Sequence, residues 1–249
     1  MTAPLLENIK DLPLSTQEPV SRYALKLLDS LNDNITSIFV YGSCAGVNYN
    51  PGVSDINVGV IVQRLDLTVM KKVLALLKGS RRQKIVPPLL LTKDYVLNSL
   101  DVFPIEFSEI KQQHKIIFGE DFFAHLNIPL NDVRLLCEQQ VKGKLLHLRQ
   151  AYLQIGGDPK TLKNLIFRAF TDLIPVFRQL VILKGQEPFL LKEDLLRQLA
   201  DIYALDERAF MAVLQDKHRK VFISSQLVET HLQNFLDQLE VLSRHMDSL

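Results

Sequence analysis

A glycine–serine pair and a downstream carboxylate are the residues of this chain whose types and spacing could do chemistry. Gly42-Ser43 follows the apolar run Ser37–Tyr41, and eleven residues separate Ser43 from the segment Asp55-Ile56-Asn57. A glycine lets backbone approach a phosphate closely, and free N–H groups at a helix start attract an anion. Mg²⁺ prefers carboxylate, phosphate and water oxygens as ligands. The pattern therefore indicates a phosphate-holding element with a metal-holding carboxylate facing it.

Two predicted strands position these side chains. The first covers residues 37–41 and stops at Gly42, and the second covers residues 55–62; turn-forming residues between them predict a tight connection. Because residues i and i+2 of a strand point to the same face, Asp55 and Asn57 are expected to project together. Ile56 then points into the core.

This segment resembles the nucleotidyltransferase superfamily, the fold shared by DNA polymerase β-like and aminoglycoside nucleotidyltransferase-like enzymes. The family pattern is a hydrophobic residue, Gly and Gly or Ser, then a gap of this length, then Asp-x-Asp or Asp-x-Glu with hydrophobic neighbours. A third carboxylate comes from a later strand, and Glu106 in the predicted strand Val102–Phe107 is its best match here. The resemblance covers roughly residues 36–107.

The resemblance implies a Mg²⁺-dependent transfer of a nucleoside monophosphate from an NTP, with ATP the expected one, to a hydroxyl acceptor. It assigns the catalytic carboxylates to Asp55 and Glu106, metal ligation to Asp55, Asn57 and Glu106, and nucleotide binding to Gly42, Ser43 and Lys111. The acceptor stays open between a small molecule, a protein and a nucleic acid.

Asn57 departs from the family pattern, which has Asp or Glu at this position. An amide keeps an oxygen ligand but loses a full charge, and a pair of unit charges at 4 Å is worth about 4 kcal/mol at an effective dielectric of 20. The alternative to an enzyme is therefore a catalytically degenerate module of the same fold. Such a module would bind a nucleotide or serve regulation or protein interaction.

The rest of the chain predicts an α+β protein with a small mixed sheet followed by a helical bundle. We place a nucleotidyltransferase-like domain at residues 1–127 and a helical domain at residues 128–249. Predicted helices cover residues 16–33, 67–77, 131–155, 158–183, 192–202, 206–220 and 225–246, and predicted strands cover residues 37–41, 55–62, 89–92 and 102–107.

The composition limits the class of protein and its expected location in the cell. Its 249 residues are 47% hydrophobic, and the net charge of +1 lacks the basic excess of a duplex-DNA binder. Cys44 and Cys137 have no metal-ligand spacing, and Cys44 is expected to be a packing residue. No signal peptide or membrane span is visible, so a cytoplasmic protein without a membrane partner is expected. A homo-oligomer stays open.

Overall fold

The computed structural model describes residues 5–51, 53–78, 83–217 and 224–246. Contacts divide the chain into two compact units, Met1–Ile128 and Pro129–Leu249. The first unit contains a small mixed sheet with helices, and the described part of the second contains helices alone. The predicted α+β class is confirmed.

The sheet of the first unit has four strands in the order β3-β2-β1-β4. Strand β1 pairs antiparallel with β2 and with β4, while β2 and β3 run parallel. The elements are α1 Leu14–Leu31, β1 Ile35–Tyr41, β2 Asn57–Val62, α2 Leu67–Leu76, β3 Leu89–Leu91, α3 Lys93–Leu97, α4 Pro104–Gln112 and β4 His114–Gly119.

Alternating side chains of β1 build a core on each face of the sheet. Ile38 and Val40 belong to a core that includes buried residues of α1 and α2. Phe39 belongs to a second core on the opposite face, with Phe107 of α4 and Phe123. This alternation is the two-residue period of an extended strand, and it places Tyr41 on the Phe39 face.

The predicted strand Val102–Phe107 is wrong. Helix α4 begins at Pro104, whose fixed φ and missing N–H suit the first helical position. Ile105, Phe107 and Ile110 are buried, whereas Glu106 is exposed in the first turn. Glu106 therefore lies on a helix, and the strand that follows is β4. Neither β4 nor α3 was predicted from the sequence.

The second unit contains α5 Leu130–Ile155, α6 Pro159–Leu183, α7 Lys192–Tyr203, α8 Glu207–Lys217 and α9 Val228–Met246 among its described residues. The predicted start of α6 is confirmed, because the Asp158 carboxylate accepts a hydrogen bond from the Thr161 N–H at 2.9 Å and Pro159 follows as the first helical residue. Residues 218–220 of the predicted helix 206–220 lie outside the described residues. None of the described helices combines the length and apolar character that crossing a bilayer requires.

Candidate nucleotide site at the end of strand β1

Gly42 ends β1 in a backbone conformation that favours glycine. Its φ is +70°, and the chain continues as a 3-10 turn over Gly42–Ala45 that ends at Gly46. A longer helix starting here would offer free N–H groups to an anion, and the structure has this single turn at that point. The turn presents Gly42 and Ser43 at the end of the strand, where the predicted phosphate contacts would be.

Gln113 supports this turn from the neighbouring chain segment. Its backbone oxygen accepts a hydrogen bond from the Gly42 N–H at 3.2 Å. Its side chain packs on Gly46 so closely that a Cβ there would lie 2.8 Å from the Gln113 Cδ. The Gln113 Nε2 is buried and has no hydrogen-bond partner in the described part of the chain. Gln113 was not predicted from the sequence, because no local pattern reveals a contact between segments so distant in sequence.

Cys44 anchors the turn to the core beneath it. The side chain is buried in the same core as Ile38 and Val40, and the thiol is hydrogen-bonded to the Thr16 side chain. Burial raises the pKa of the Cys44 thiol. A thiol held protonated in an apolar core is a packing group, in agreement with the interpretation from the sequence.

Asp55 and Asn57 flank Ile56, whose backbone N–H and oxygen are both hydrogen-bonded to a neighbouring segment. The Ile56 N–H donates to the Lys84 oxygen at 2.9 Å, and the Ile56 oxygen accepts from the Val86 N–H at 3.3 Å. Ile56 is buried, while Asp55 is exposed and Asn57 is half-buried. In extended backbone the two neighbours of a core-facing residue point away from that core, so Asp55 and Asn57 lie on the Phe39 face.

The Asn57 amide lies against Gly42. A Cβ added at Gly42 would be 3.1 Å from the Asn57 Nδ2. The structure therefore brings together Gly42 and Asn57, the two halves of the predicted motif, at the junction of β1 and β2. Asp55 has no hydrogen-bond or ion-pair partner among the residues described, so its carboxylate is available to a ligand. We call the end of the sheet where β1 ends and β2 begins this edge.

Three polar side chains form a row across the sheet at this edge. Tyr41 of β1 pairs with Asn57 of β2 on one side and with His114 of β4 on the other. Directly opposed residues of antiparallel strands share a face, so the three side chains are neighbours. Burial raises the pKa of the Tyr41 hydroxyl. Tyr41 was not singled out from the sequence, because its place in this row depends on the register between strands.

His114 is held in place by two polar contacts. Its Nδ1 donates to the Ile110 backbone oxygen at 2.8 Å, and its Nε2 lies 2.9 Å from the Asp121 Oδ1. Asp121 also accepts from the Ala124 N–H. The ring packs edge-on against Phe39. These contacts leave His114 as a fixed end of the row.

Glu106 and Lys111, the remaining predicted site residues, lie on α4 rather than in this row. Glu106 is exposed, and the Lys111 Nζ donates to the Leu126 backbone oxygen at 2.6 Å. That contact uses one of the three N–H donors of the ammonium group, and the predicted phosphate contact of Lys111 stays a prediction.

The predicted metal ligands Asp55, Asn57 and Glu106 are two carboxylates and an amide, one carboxylate fewer than the family pattern has, and this ligand set stays a prediction. Strand β3, the parallel neighbour of β2, is Leu89–Leu91 and carries no carboxylate. Within residues 5–51, 53–78, 83–217 and 224–246, no group of three or more His, Cys, Asp and Glu side chains could hold a metal ion. The row has the Asp55 carboxylate and the Asn57 amide at one end and the Asp121 carboxylate, in contact with His114, at the other.

The mixed sheet and the helices that follow it form an α+β nucleotidyltransferase fold. Among solved structures the chain is similar to the spectinomycin adenyltransferase AAD(9) from Enterococcus faecialis, a crystal structure with ATP and spectinomycin. The TM-score is 0.56 and the identity is 14%, and the match covers 90% of this chain and 98% of that one. No protein-family model matches the sequence, and neither does any curated protein.

Proposed function

We propose that this chain is a nucleotidyltransferase-like protein that binds a nucleoside triphosphate, ATP first among them, at the end of β1. The nucleotide's phosphates lie against Gly42 and Ser43, with Asp55 and Asn57 beside them. In this proposal residues 1–127 are the nucleotide-binding domain and residues 128–249 are a helical domain. The observation that carries the proposal is the placement of the Asn57 amide against Gly42.

Binding is a better match to this edge than efficient transfer chemistry. Positioned backbone and hydroxyl groups suffice to hold phosphates, and Gly42 and Ser43 supply both. Nucleotidyl transfer also needs charge stabilisation of the reacting phosphate, which superfamily enzymes obtain from metals held by several carboxylates. Asn57 removes one of these charges, and β3 supplies none.

Isothermal titration calorimetry with ATP at up to millimolar concentration tests the proposal. Gly42→Ala is expected to abolish binding, because the added Cβ strains a left-handed backbone and presses on Asn57. Gly143→Ala is the matched control, since a Cβ there meets no atom within 4 Å. Ser43→Ala tests the hydroxyl without the backbone strain. The proposal fails if ATP does not bind to the wild-type protein or if both glycine variants bind it equally.

The second candidate function is transfer of AMP to a hydroxyl of a small molecule. It is favoured by the similarity over 90% of the chain to an adenyltransferase solved with ATP and spectinomycin. Asp55 and Glu106 would be its catalytic carboxylates, and Lys111 would contact the phosphates. Dependence on Mg²⁺ is part of this candidate.

Pyrophosphate release separates the two functions. The purified protein is incubated with ATP, Mg²⁺ and a panel of aminocyclitol and aminoglycoside acceptors, and released pyrophosphate is measured. Turnover that is lost in Asp55→Asn supports the transferase. If binding occurs without turnover, the nucleotide-binding function stands alone.

A further inference from the structure

The Asn57 amide and the Tyr41 hydroxyl are two neighbouring polar groups of the candidate site. Neither side chain has a hydrogen-bond partner in the described part of the protein. Polar groups that are partly withdrawn from water ordinarily find partners, because leaving them unpaired costs free energy. Tyr41 and Asn57 are directly opposed on β1 and β2, so one ligand can reach both.

The chemistry of the two groups selects the ligand. An amide carries two N–H donors and a phenol carries one O–H donor, whereas phosphate oxygens are acceptors. A carboxylate at position 57 would repel a phosphate unless a cation bridged them. An amide at position 57 can donate a hydrogen bond to the phosphate directly, so a bridging cation is not required.

We propose that Tyr41 and Asn57 donate hydrogen bonds to the nucleotide's phosphate oxygens, so that the site binds nucleotide without a divalent metal. This inference rests on the proposed nucleotide-binding function and specifies its ligand as the metal-free polyphosphate. Asp55 and, beside His114, Asp121 are opposing charges, and the exposure of both lets solvent and salt screen their repulsion of the phosphates. His114 completes the row but is already bonded to Ile110 and Asp121.

The test measures ATP affinity of the full chain in excess EDTA and again in excess Mg²⁺. The wild-type protein is expected to bind ATP in EDTA at least as tightly as with Mg²⁺. Tyr41→Phe and Asn57→Ala should each weaken binding in EDTA about tenfold or more, the value of one hydrogen bond to a charged group. Tyr95→Phe, at a half-exposed tyrosine elsewhere in the unit, is the matched control and should change nothing.

Asn57→Asp gives the sharpest result, because it changes charge with almost no change in shape. The variant should lose binding in EDTA and regain it when Mg²⁺ is added, while Asn98→Asp, a charge change at an exposed residue, should have no such effect. Thermal unfolding of each variant establishes that it is folded.

The outcomes separate this inference from the proposed function. Wild-type binding that requires Mg²⁺, or equal metal dependence of wild type and Asn57→Asp, overturns the metal-free inference and leaves nucleotide binding intact. A failure of the wild-type protein to bind ATP in either condition overturns both. Metal-free binding that is insensitive to Tyr41→Phe and Asn57→Ala overturns the assignment of these two donors.

Discussion

The ring of Phe39 lies over Gly59, its cross-strand partner, so closely that a Cβ on Gly59 would come within 2.0 Å of the ring. A glycine in the middle of β2 thus leaves room for an aromatic side chain from β1. The same ring contacts Tyr41 and His114, the β1 and β4 members of the polar row. The Phe39–Gly59 contact therefore helps to position Tyr41 and His114 in the candidate site.

Gly59→Ala is expected to destabilise the protein by about 1–3 kcal/mol, the usual cost of overpacking a core. In a Phe39→Leu background the same substitution should cost at least about 1 kcal/mol less, because the ring that clashes is gone. Urea unfolding of the four proteins in this cycle measures the coupling. Additive effects of the two substitutions would contradict the contact.

Tyr23 of α1 carries a buried hydroxyl that has no partner among the described residues. Tyr23→Phe should therefore stabilise the protein at pH 7, by about 1 kcal/mol, since an unsatisfied polar group is removed from the core. Denaturant unfolding at pH 7 measures this difference. An equal or lower stability of the variant would indicate a partner for the hydroxyl.

The advantage of Tyr23→Phe should grow at high pH. Burial raises the pKa of Tyr23 to about 12, above its usual value near 10 in the unfolded chain. The difference in stability between the wild type and the variant is therefore constant well below pH 10, and the wild type loses stability relative to the variant as pH rises from 10 towards 12, because the unfolded chain deprotonates first. From pH 10 to 11 the variant should gain roughly 1 kcal/mol more over the wild type. A constant difference over this interval would mean that the pKa of Tyr23 is not raised.

The sequence predicts those parts of the fold that are determined locally. Local patterns predict three elements that the structure contains. Apolar runs predict β1 and β2, and the pair Asp158-Pro159 predicts the start of α6. The segment around Pro104 has an alternating pattern over too few residues to separate a strand from a helix, and tertiary packing decides for α4. Strand β4 follows that helix almost directly, with no turn residue to mark its start.

The sequence predicts the motif of the candidate site but not the residues that surround this motif. Gly42 and Asn57 could be placed together because the two strands and their spacing are visible in the sequence. Tyr41 and Gln113 could not, because their proximity depends on strand register and on a contact between distant segments. The sequence also does not show that β3 is the strand beside β2. It therefore could not predict that this neighbouring strand lacks a carboxylate.

Asp66 caps α2, and its substitution should reveal an acid-dependent contribution to stability. Its carboxylate accepts a hydrogen bond from the Val69 N–H at 3.0 Å, and this bond above all lowers the pKa of Asp66. The contribution is present above pH about 4 and is lost as pH falls through the lowered value. Asp66→Ala should lower the urea midpoint at pH 7, and its difference from wild type should shrink in acid. A difference that is the same at pH 7 and pH 2 would contradict the charged cap.

Both thiols should resist modification in the native protein. Cys44 and Cys137 are buried, and burial raises the pKa of Cys137 to about 12, so neither side chain offers an accessible thiolate. At pH 8 the reagent DTNB should react with neither cysteine until urea unfolds the chain, after which two thiols should titrate. Rapid reaction of Cys44 in the folded state would show that the Gly42–Ala45 turn opens.

Glu106 provides the clearest separation of the two candidate functions. Its exposed position in the first turn of α4, with Ile105 and Phe107 facing the core, places it off the row formed by Asn57, Tyr41 and His114. Glu106→Gln should therefore leave ATP affinity within about twofold of the wild type, less than the loss of a single hydrogen bond. The neutral variant keeps the shape and the helix, so any larger effect reports the charge. Loss of ATP affinity or of pyrophosphate release in Glu106→Gln would show that α4 contributes the third carboxylate after all, and it would favour the transferase over the binding module.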